Sequence, residues 1–439
     1  MAPEMQGLVK LELTSTMVIA FVAFSATVGI IAGFMPAVFF SKVSPIHALR
    51  NVSPVKVFKH VALRRVLVVV QYTVTLIFIT ATTVGYVQYR DILAFDLGFN
   101  TENILNIDMQ GNNSEPMMKA LGEMPEVTGL SRSLIVTSVG NAWGGFMKYK
   151  DSRDSALVLT NHVDEHYLAL HEHQLAAGGN FVAHPRTSDA VAEVIVNEQV
   201  LKRLHIAQDP EKAIGEEITF SSFRFHGRKM TIVGVMRDFH YGKLDNLIEP
   251  VAFMSWTPED RTVINAKILS TDLPATMAQL EATWKKIDPV HPFKAQFFDA
   301  AIEEAYREFS VQVKIIGFLA LLAISIASMG LFGMVVFTTE TRLKEISIRK
   351  VMGASAASLI LLLSEGFLVL LGIAALIALP VTYIFFENYV LRNFPYHNPV
   401  HFAELLAGLF TVLAIAFLMI GSQTVKAAGR NPSEVLKGE

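Results

Sequence analysis

The chain has 439 residues, 52% of them hydrophobic and 18% charged, with no cysteine and a formal net charge of -3. That is too apolar for a wholly water-soluble protein and too charged for one sunk entirely in lipid. It excludes disulfides, thiolate metal centres and thiol catalysis, and it gives no global positive field for nucleic acid.

Residues 1–16 are a short tail before the first charge-free apolar run, 17–40. Further runs lie at 66–87 and at 315–337, the latter within an expected span 311–337. Each is close to the ~20 residues that cross about 30 Å of hydrocarbon. A run at 359–386 holds one interior charge, Glu365, and a run at 402–425 carries Glu404 near its end, so five spans are expected. Buried helices of a large soluble protein are the competing reading, but five such runs leave too little polar surface to cover them.

Orientation follows from the basic residues. Lys42, Arg50, Lys56, Lys59, Arg64 and Arg65 fill the loop 41–65, Arg342, Lys344, Arg349 and Lys350 lie in 338–358, and Lys426, Arg430 and Lys437 lie in the tail 426–439. The positive-inside rule places these in the cytoplasm and leaves 1–16, 88–310 and the loop 387–401 outside. The first run is too long for a signal peptide and lacks a basic segment before it. Ser44-Pro45 after the first span and Asn431-Pro432 after the last each open a short helical pattern, which suggests the tail of one unit followed by a complete four-span unit.

The polar block 88–310 reads as an α+β domain. Short apolar runs near 104–109, 194–196, 231–235 and 251–254 predict strands, and 117–122, 198–204 and 276–287 predict helices. Glycine-rich stretches at 111–114, 140–145 and 178–180 predict turns, and 168–183 is a candidate boundary between two lobes. No proline falls between Asp299 and Thr341, so a single helix can run from the domain through the third span as a stalk. The second span is expected to extend similarly through 88–93.

No phosphate-binding loop, GxSxG elbow or HExxH motif is present, so no ATPase or other catalytic activity is expected and no cofactor is implied. His162, His166, His171 and His173 are metal-ligand candidates by spacing, with His162 and His166 able to share a helical face. The plainer reading is a surface helix capped by Asp164 with partly solvated histidines. Glu365 at membrane depth is costly and must face protein, a partner or a water path, or else snorkel to the basic loop. Residues 338–355, TTETRLKEISIRKVMGAS, form an amphipathic helix at the cytoplasmic face, broken by Gly353. Its acids Glu340 and Glu345 disfavour simple adhesion to anionic lipid and favour a soluble protein partner.

The segment Glu345-Ile346-Ser347-Ile348-Arg349-Lys350-Val351-Met352-Gly353-Ala354-Ser355 resembles the signature of FtsX-like permeases, the membrane subunits of MacB-like (type VII) ABC systems. Residues 65–71, Asp96-Leu97-Gly98-Phe99, Gly234-Val235, Asp238-Phe239-His240 and Asn431-Pro432 are similar to further recurring positions of that family. The resemblance implies an α-helical transmembrane bundle with an α+β extracytoplasmic MacB-like core domain and an FtsX-like core over 311–431. It implies a multi-pass protein of the cell's inner membrane that recruits a separate ATP-binding subunit through Arg342, Lys344, Glu345, Ile346, Ile348, Arg349, Lys350, Met352, Gly353, Ala354 and Ser355. It also implies pairing with a second permease unit, as homodimer or heterodimer, and motion transmitted to the outer domain. A membrane-anchored sensor or scaffold is the alternative.

Overall fold

The computed structural model describes residues 14–41, 57–150, 154–182, 193–206, 209–223, 225–244, 246–258 and 261–428. The repeated Pro-led segments at 44–50 and 431–437 lie outside these residues. The chain divides into two compact units, one of residues 1–85, 310–385 and 400–439, the other of 86–309 and 386–399.

The first unit is helical. It contains α1 (Ser15–Ser41), most of α2 (Val57–Leu93) and the helices that follow the outer domain. Every described side chain of α1 is exposed. An apolar helix exposed all round belongs in lipid or against a partner. Among the described residues four helical stretches are long and apolar enough to cross a membrane: Arg65–Leu93, Arg307–Thr341, Ala357–Val390 and Phe402–Lys426. Their shared core joins Tyr72, Leu76 and Ile79 to Ala327, Leu331 and Val335, to Leu363 and Phe367, and to Val412, Ala416 and Ile420. Close approach depends on missing side chains. A Cβ on Gly330 would come within 2.7 Å of Gln71 Oε1, and one on Gly408 within 2.6 Å of Thr80 Cγ2. Small residues at helix contacts are the usual route to tight packing in lipid.

The second unit is α/β and has two lobes. The smaller runs β1 (Ile104–Asp108), α3 (Glu115–Gly122), β2 (Val127–Ser133), then, far along the chain, β10 (Val263–Ile268), α6 (Leu273–Ile287) and β11 (Ala295–Phe297). Its strands are antiparallel in the order β11-β1-β10-β2, a split βαββαβ unit. Alternation explains its one-sided core. Leu105, Ile107 and Met109 of the β1 stretch meet Met117 and Leu121 of α3 and Leu280 and Trp284 of α6.

The larger lobe is inserted between β2 and β10. It comprises β3 (Gly144–Lys148), β4 (Ala156–Val163), the single turn α4 (Tyr167–Leu170), β5 (Leu175–Gly178), β6 (Glu193–Asn197), α5 (Glu198–Leu204), β7 (Glu217–Ser221), β8 (Arg228–Met236) and β9 (Val251–Ser255). The pairings β4–β3, β3–β7, β7–β8, β8–β6, β6–β9 and β9–β4 close a ring, a small mixed barrel filled by Val158, Val194, Val196, Ile218, Ile232 and Met254. Closure removes the free edges that an open sheet of this size exposes. The two lobes are stitched by one strand pair, Ser133↔Val163. The lobe boundary therefore falls at 133–134 and 262–263, not at 168–183, where β5 is part of the barrel lobe. β3 likewise begins inside the glycine stretch 140–145.

The expected single helix from 299 is interrupted. α7 (Phe298–Ala305) ends at Tyr306, whose backbone leaves helical geometry (φ -104°, ψ 14°), and α8 (Arg307–Thr341) then runs for 35 residues, about 52 Å. Tyr306 is 6% exposed and its hydroxyl accepts the Leu244 N–H at 2.7 Å, which turns the ring inward and breaks the helix.

Candidate functional site

Two places gather the motif residues. The first follows α8. The chain bends at Arg342 and continues as α9 (Leu343–Val351), with hydrogen bonds Arg342 N–H to Thr338 O and Ile346 N–H to Arg342 O carrying helical bonding across the bend. Gly353, at φ +91°, ends the helix. The Gly353 N–H bonds to Lys350 O at 3.0 Å and the Ala354 N–H to Arg349 O at 2.9 Å, the paired bonds of a Schellman cap that need a left-handed residue at this position. Ser355 then starts α10 (Ala356–Phe385), its Oγ accepting the Ser358 N–H at 3.3 Å. The Met-Gly-Ala-Ser run is thus a stop signal joined directly to a start signal.

This turn fixes which face of α9 is presented. Ile346 (2% exposed) is part of the helical core and Ser347 is buried. Glu345 and Arg349 pair along the helix at 2.7 Å. Lys344, Ile348, Val351 and Met352, spaced i, i+4, i+7, i+8, form an exposed stripe, with Ile348, Val351 and Met352 49%, 67% and 76% exposed. Arg342, Lys350 and Ser355 are also exposed, and Ala354 packs against the core. Glu365 lies on the exposed face of α10 between exposed Leu361 and Val369, and among the described residues it makes no ion pair with the basic segment.

The second place lies within the α/β unit, where the outer end of α2 meets the strands. Asp96 Oδ1 accepts the Gly98 N–H at 2.8 Å, a turn that Gly98 enters at φ +85°. The His240 N–H bonds to Leu97 O at 2.9 Å. A Cβ on Gly98 would stand 3.1 Å from Phe239 Cβ, so the two motifs press together at a point only glycine permits. Asp238 turns away and accepts from Gln199 N–H (3.0 Å), Gln199 Nε2 (2.7 Å) and Lys202 Nζ (3.2 Å), securing α5. Around them the rings of Phe95, His240 and Tyr396 meet edge to face or tilted, and Phe309 meets Tyr89 and Phe394. Gln88 Nε2 donates to Asn398 O at 2.9 Å, and the Ile248 N–H donates to Tyr396 Oη. The outer ends of both long helices and the 386–399 loop are thereby clamped to one sheet. Replacing Tyr306 with phenylalanine is expected to lower the unfolding free energy of this unit by about 1–3 kcal/mol, because a buried N–H loses its acceptor. Chemical denaturation of the variant in detergent reads this directly.

The four histidines are spread over different elements and surroundings. Among the described residues no group of three or more His, Asp or Glu could hold a metal ion. His162 is on strand β4 and His166 precedes α4, so they share no helical face, and His166 is exposed. His171 is buried and His173 half-buried. They sit among Phe99, Tyr167, Phe239, Phe253 and Phe298. Burial lowers the His171 pKa to about 4 and holds His173 well below its ordinary value. Asp164 bonds the start of α4 but is itself buried, and burial raises its pKa to about 6. Tyr306, Tyr396 and Arg132 escaped the sequence reading. An isolated tyrosine in an Ala- and Glu-rich helix was the one available signal.

Comparison with known proteins fits this arrangement. The MacB-like periplasmic core domain model matches residues 14–285, and the FtsX-like permease C-terminal model matches 317–432. The chain belongs to the MacB/FtsX-like permease family. Family permeases of this ABC type are membrane proteins with an extracytoplasmic domain, and in this chain that domain is the α/β unit. Solved structures similar to it include the periplasmic region of MacB from Actinobacillus actinomycetemcomitans (12% identity over 46% of this chain and 91% of that one, TM-score 0.34) and a domain of a putative permease from Porphyromonas gingivalis (14%, 46% and 94%, TM-score 0.32). The extracellular domain of the noncanonic ABC-type transporter YknZ from Gram-positive bacteria is also similar (10%, 44% and 98%, TM-score 0.30). No curated protein matches the chain.

Proposed function

We propose that this permease converts ATP-driven movement of a separate ATPase subunit into displacement of its extracytoplasmic domain. The observation that supports this most directly is the exposed Lys344–Ile348–Val351–Met352 stripe, on a short helix pinned to the bundle by Ile346 and continuous in hydrogen bonding with α8. An apolar stripe with a basic rim on a rigid helix fits a protein groove. A partner that levers α9 acts on α8, a stiff element of about 52 Å whose outer end belongs to the clamped joint. The basic loops support an orientation with α9 on the cytoplasmic side, as in a permease of the inner membrane. Pairing with a second permease unit, through lipid-facing surfaces that include Glu365, completes the assembly.

Ile348→Asp combined with Met352→Asp is expected to abolish co-purification of the ATPase from native membranes while leaving the chain inserted and folded. Both side chains are exposed, so the change spares the core. Undiminished recovery of the ATPase with the double variant would remove α9 as the docking element. Absence of any ATPase with the unaltered chain would turn the reading toward a sensor.

A further inference from the structure

A cleft of about 1320 Å³ opens between the two lobes of the extracytoplasmic domain. It exceeds the roughly 300–1,000 Å³ common for small-molecule sites. Its floor is the sheet face of the βαββαβ lobe that the helices leave uncovered, with Asn106 of β1 and Gln296 of β11, cross-strand neighbours. Its opposite wall is aromatic. Trp143 (63% exposed) and Phe223 (fully exposed) stand at the lip, and His162 stacks on Phe225 deeper in, their ring centroids 6.3 Å apart.

Asn106 is the decisive residue. It is 6% exposed, yet neither its carboxamide oxygen nor its nitrogen has a hydrogen-bond partner. The flanking Leu105 and Ile107 pack against the helices, so alternation turns Asn106 to the cleft. Its neighbour on β10, Asn265, is differently placed and donates to the Ser131 and Ser133 hydroxyls at 3.2 and 3.1 Å. Buried polar groups are ordinarily satisfied, and an orphan is retained where something else supplies the partners. A carboxamide offers a donor and an acceptor side by side, and the N–H and C=O of one residue in an extended chain, which point the same way, complement both at once. At the mouth Asp108 and Arg261 pair at 2.8 Å, and Lys294 adds one basic group to the lining.

We propose that this cleft binds an extended, apolar peptide segment, one residue of which pairs its backbone N–H and C=O with the Asn106 carboxamide while its side chains lie against the aromatic wall. A carbohydrate also stacks on aromatic rings, but its many hydroxyls need converging polar groups. Among the described lining residues, Asn106 alone has buried side-chain atoms without partners. The inference draws on the geometry of the domain and requires no ATPase, so it stands or fails separately from the coupling reading.

The test uses the full chain in lipid nanodiscs without ATPase or nucleotide. The probe is dansyl-Phe-Ala-Val-Phe-Ala-Val-amide, followed by energy transfer from tryptophan. Trp256 and Trp284 are buried, so the portion of the signal lost in Trp143→Phe reports the cleft. Saturable transfer is expected. Asn106→Leu should weaken binding by about tenfold, the worth of an amide pair made in a buried setting. The same peptide methylated at every backbone nitrogen should bind the unaltered chain about as weakly and lose nothing more in Asn106→Leu. Phe223→Ser, at a wholly exposed side chain, should weaken binding about fivefold without touching the fold. Should Asn106→Leu fail to fold, Phe223→Ser and the methylated peptide on the unaltered chain decide the matter. Equal affinity for the methylated peptide, or unchanged affinity in the variants, overturns the proposal. Saturable loss of Trp143 emission with maltohexaose and no response to the peptide overturns it as well.

Discussion

Replacing Arg132 with methionine should lower the unfolding free energy of the extracytoplasmic domain by about 3–5 kcal/mol, the cost of stranding one member of a buried ion pair. Arg132 is 3% exposed on β2 at the seam of the two lobes. Its guanidinium reaches Glu115 at 2.9 Å, Ser114 Oγ at 3.0 Å and Asp164 at 3.8 Å, and lies 4.9 Å over the Trp256 ring. Asp164 has the reverse stake. It is equally buried and also accepts the Arg132 N–H at 2.9 Å. Because only Ser133↔Val163 pairs β2 with β4, this ion pair supplies much of what the ladder lacks there. Adding Asp164→Leu to Arg132→Met should recover a large part of the loss, since the stranded charge is gone. Urea unfolding followed by intrinsic fluorescence gives both values, and a single variant as stable as the parent would show that the seam does not depend on the pair.

The second large effect is a loss of stability in mild acid. His171 and His173 are neutral in the fold, and burial pushes the His171 pKa from 6.5 to about 4, with the Lys267 charge adding to the effect and the bond to Asn100 O opposing it. Between pH 6.5 and 4 the unfolded chain binds the proton and the folded chain does not. Stability therefore rises with pH across that window and is lost as the pH falls through it. For His171 alone a displacement of this size is worth about 3 kcal/mol. Asp164 works in the opposite direction. Its raised pKa makes the folded state the better proton acceptor from about pH 6 down to the ordinary carboxyl range, which offsets part of the loss. His173→Phe, which keeps the ring stacked on Phe99, should flatten the decline. Melting temperature recorded from pH 7.5 to 4.5 decides it, and identical curves for variant and parent would sink the explanation.

The signals that carried through from sequence to structure are those in which local pattern and burial coincide. Val194-Ile195-Val196 and Thr231 to Val235 are apolar because both faces are covered, and they are strands β6 and β8. β2, β4 and β10 were illegible for the opposite reason. Their buried positions carry Ser131, Arg132, Ser133, Asn161 and Asn265, side chains satisfied by one another or by loop backbone across the sheet. A polar residue whose partner is 26 to 134 positions away looks like a loop residue in one sequence. The barrel could not be foreseen at all, since closure depends on the parallel β4–β9 register.

The motif residues divide in the same way. Gly353 and Ser355 announce a helix stop and start because capping is local. What Asp96 to Phe99 and Asp238 to His240 do is not local, and resemblance could mark them without saying that they touch. Tyr306 reversed an expectation outright: absence of proline permits a continuous helix but does not compel one when a ring finds a better place inside the domain.

The insertion of the barrel between β2 and β10 has a developmental corollary for the polypeptide. During synthesis the βαββαβ lobe cannot close after its first half, since β10, the strand between β1 and β2, emerges only once the whole barrel has been made. The half-sheet must wait, with its apolar underside uncovered, for some 130 residues of intervening chain. Lesions that slow barrel maturation should therefore surface as aggregation of the other lobe.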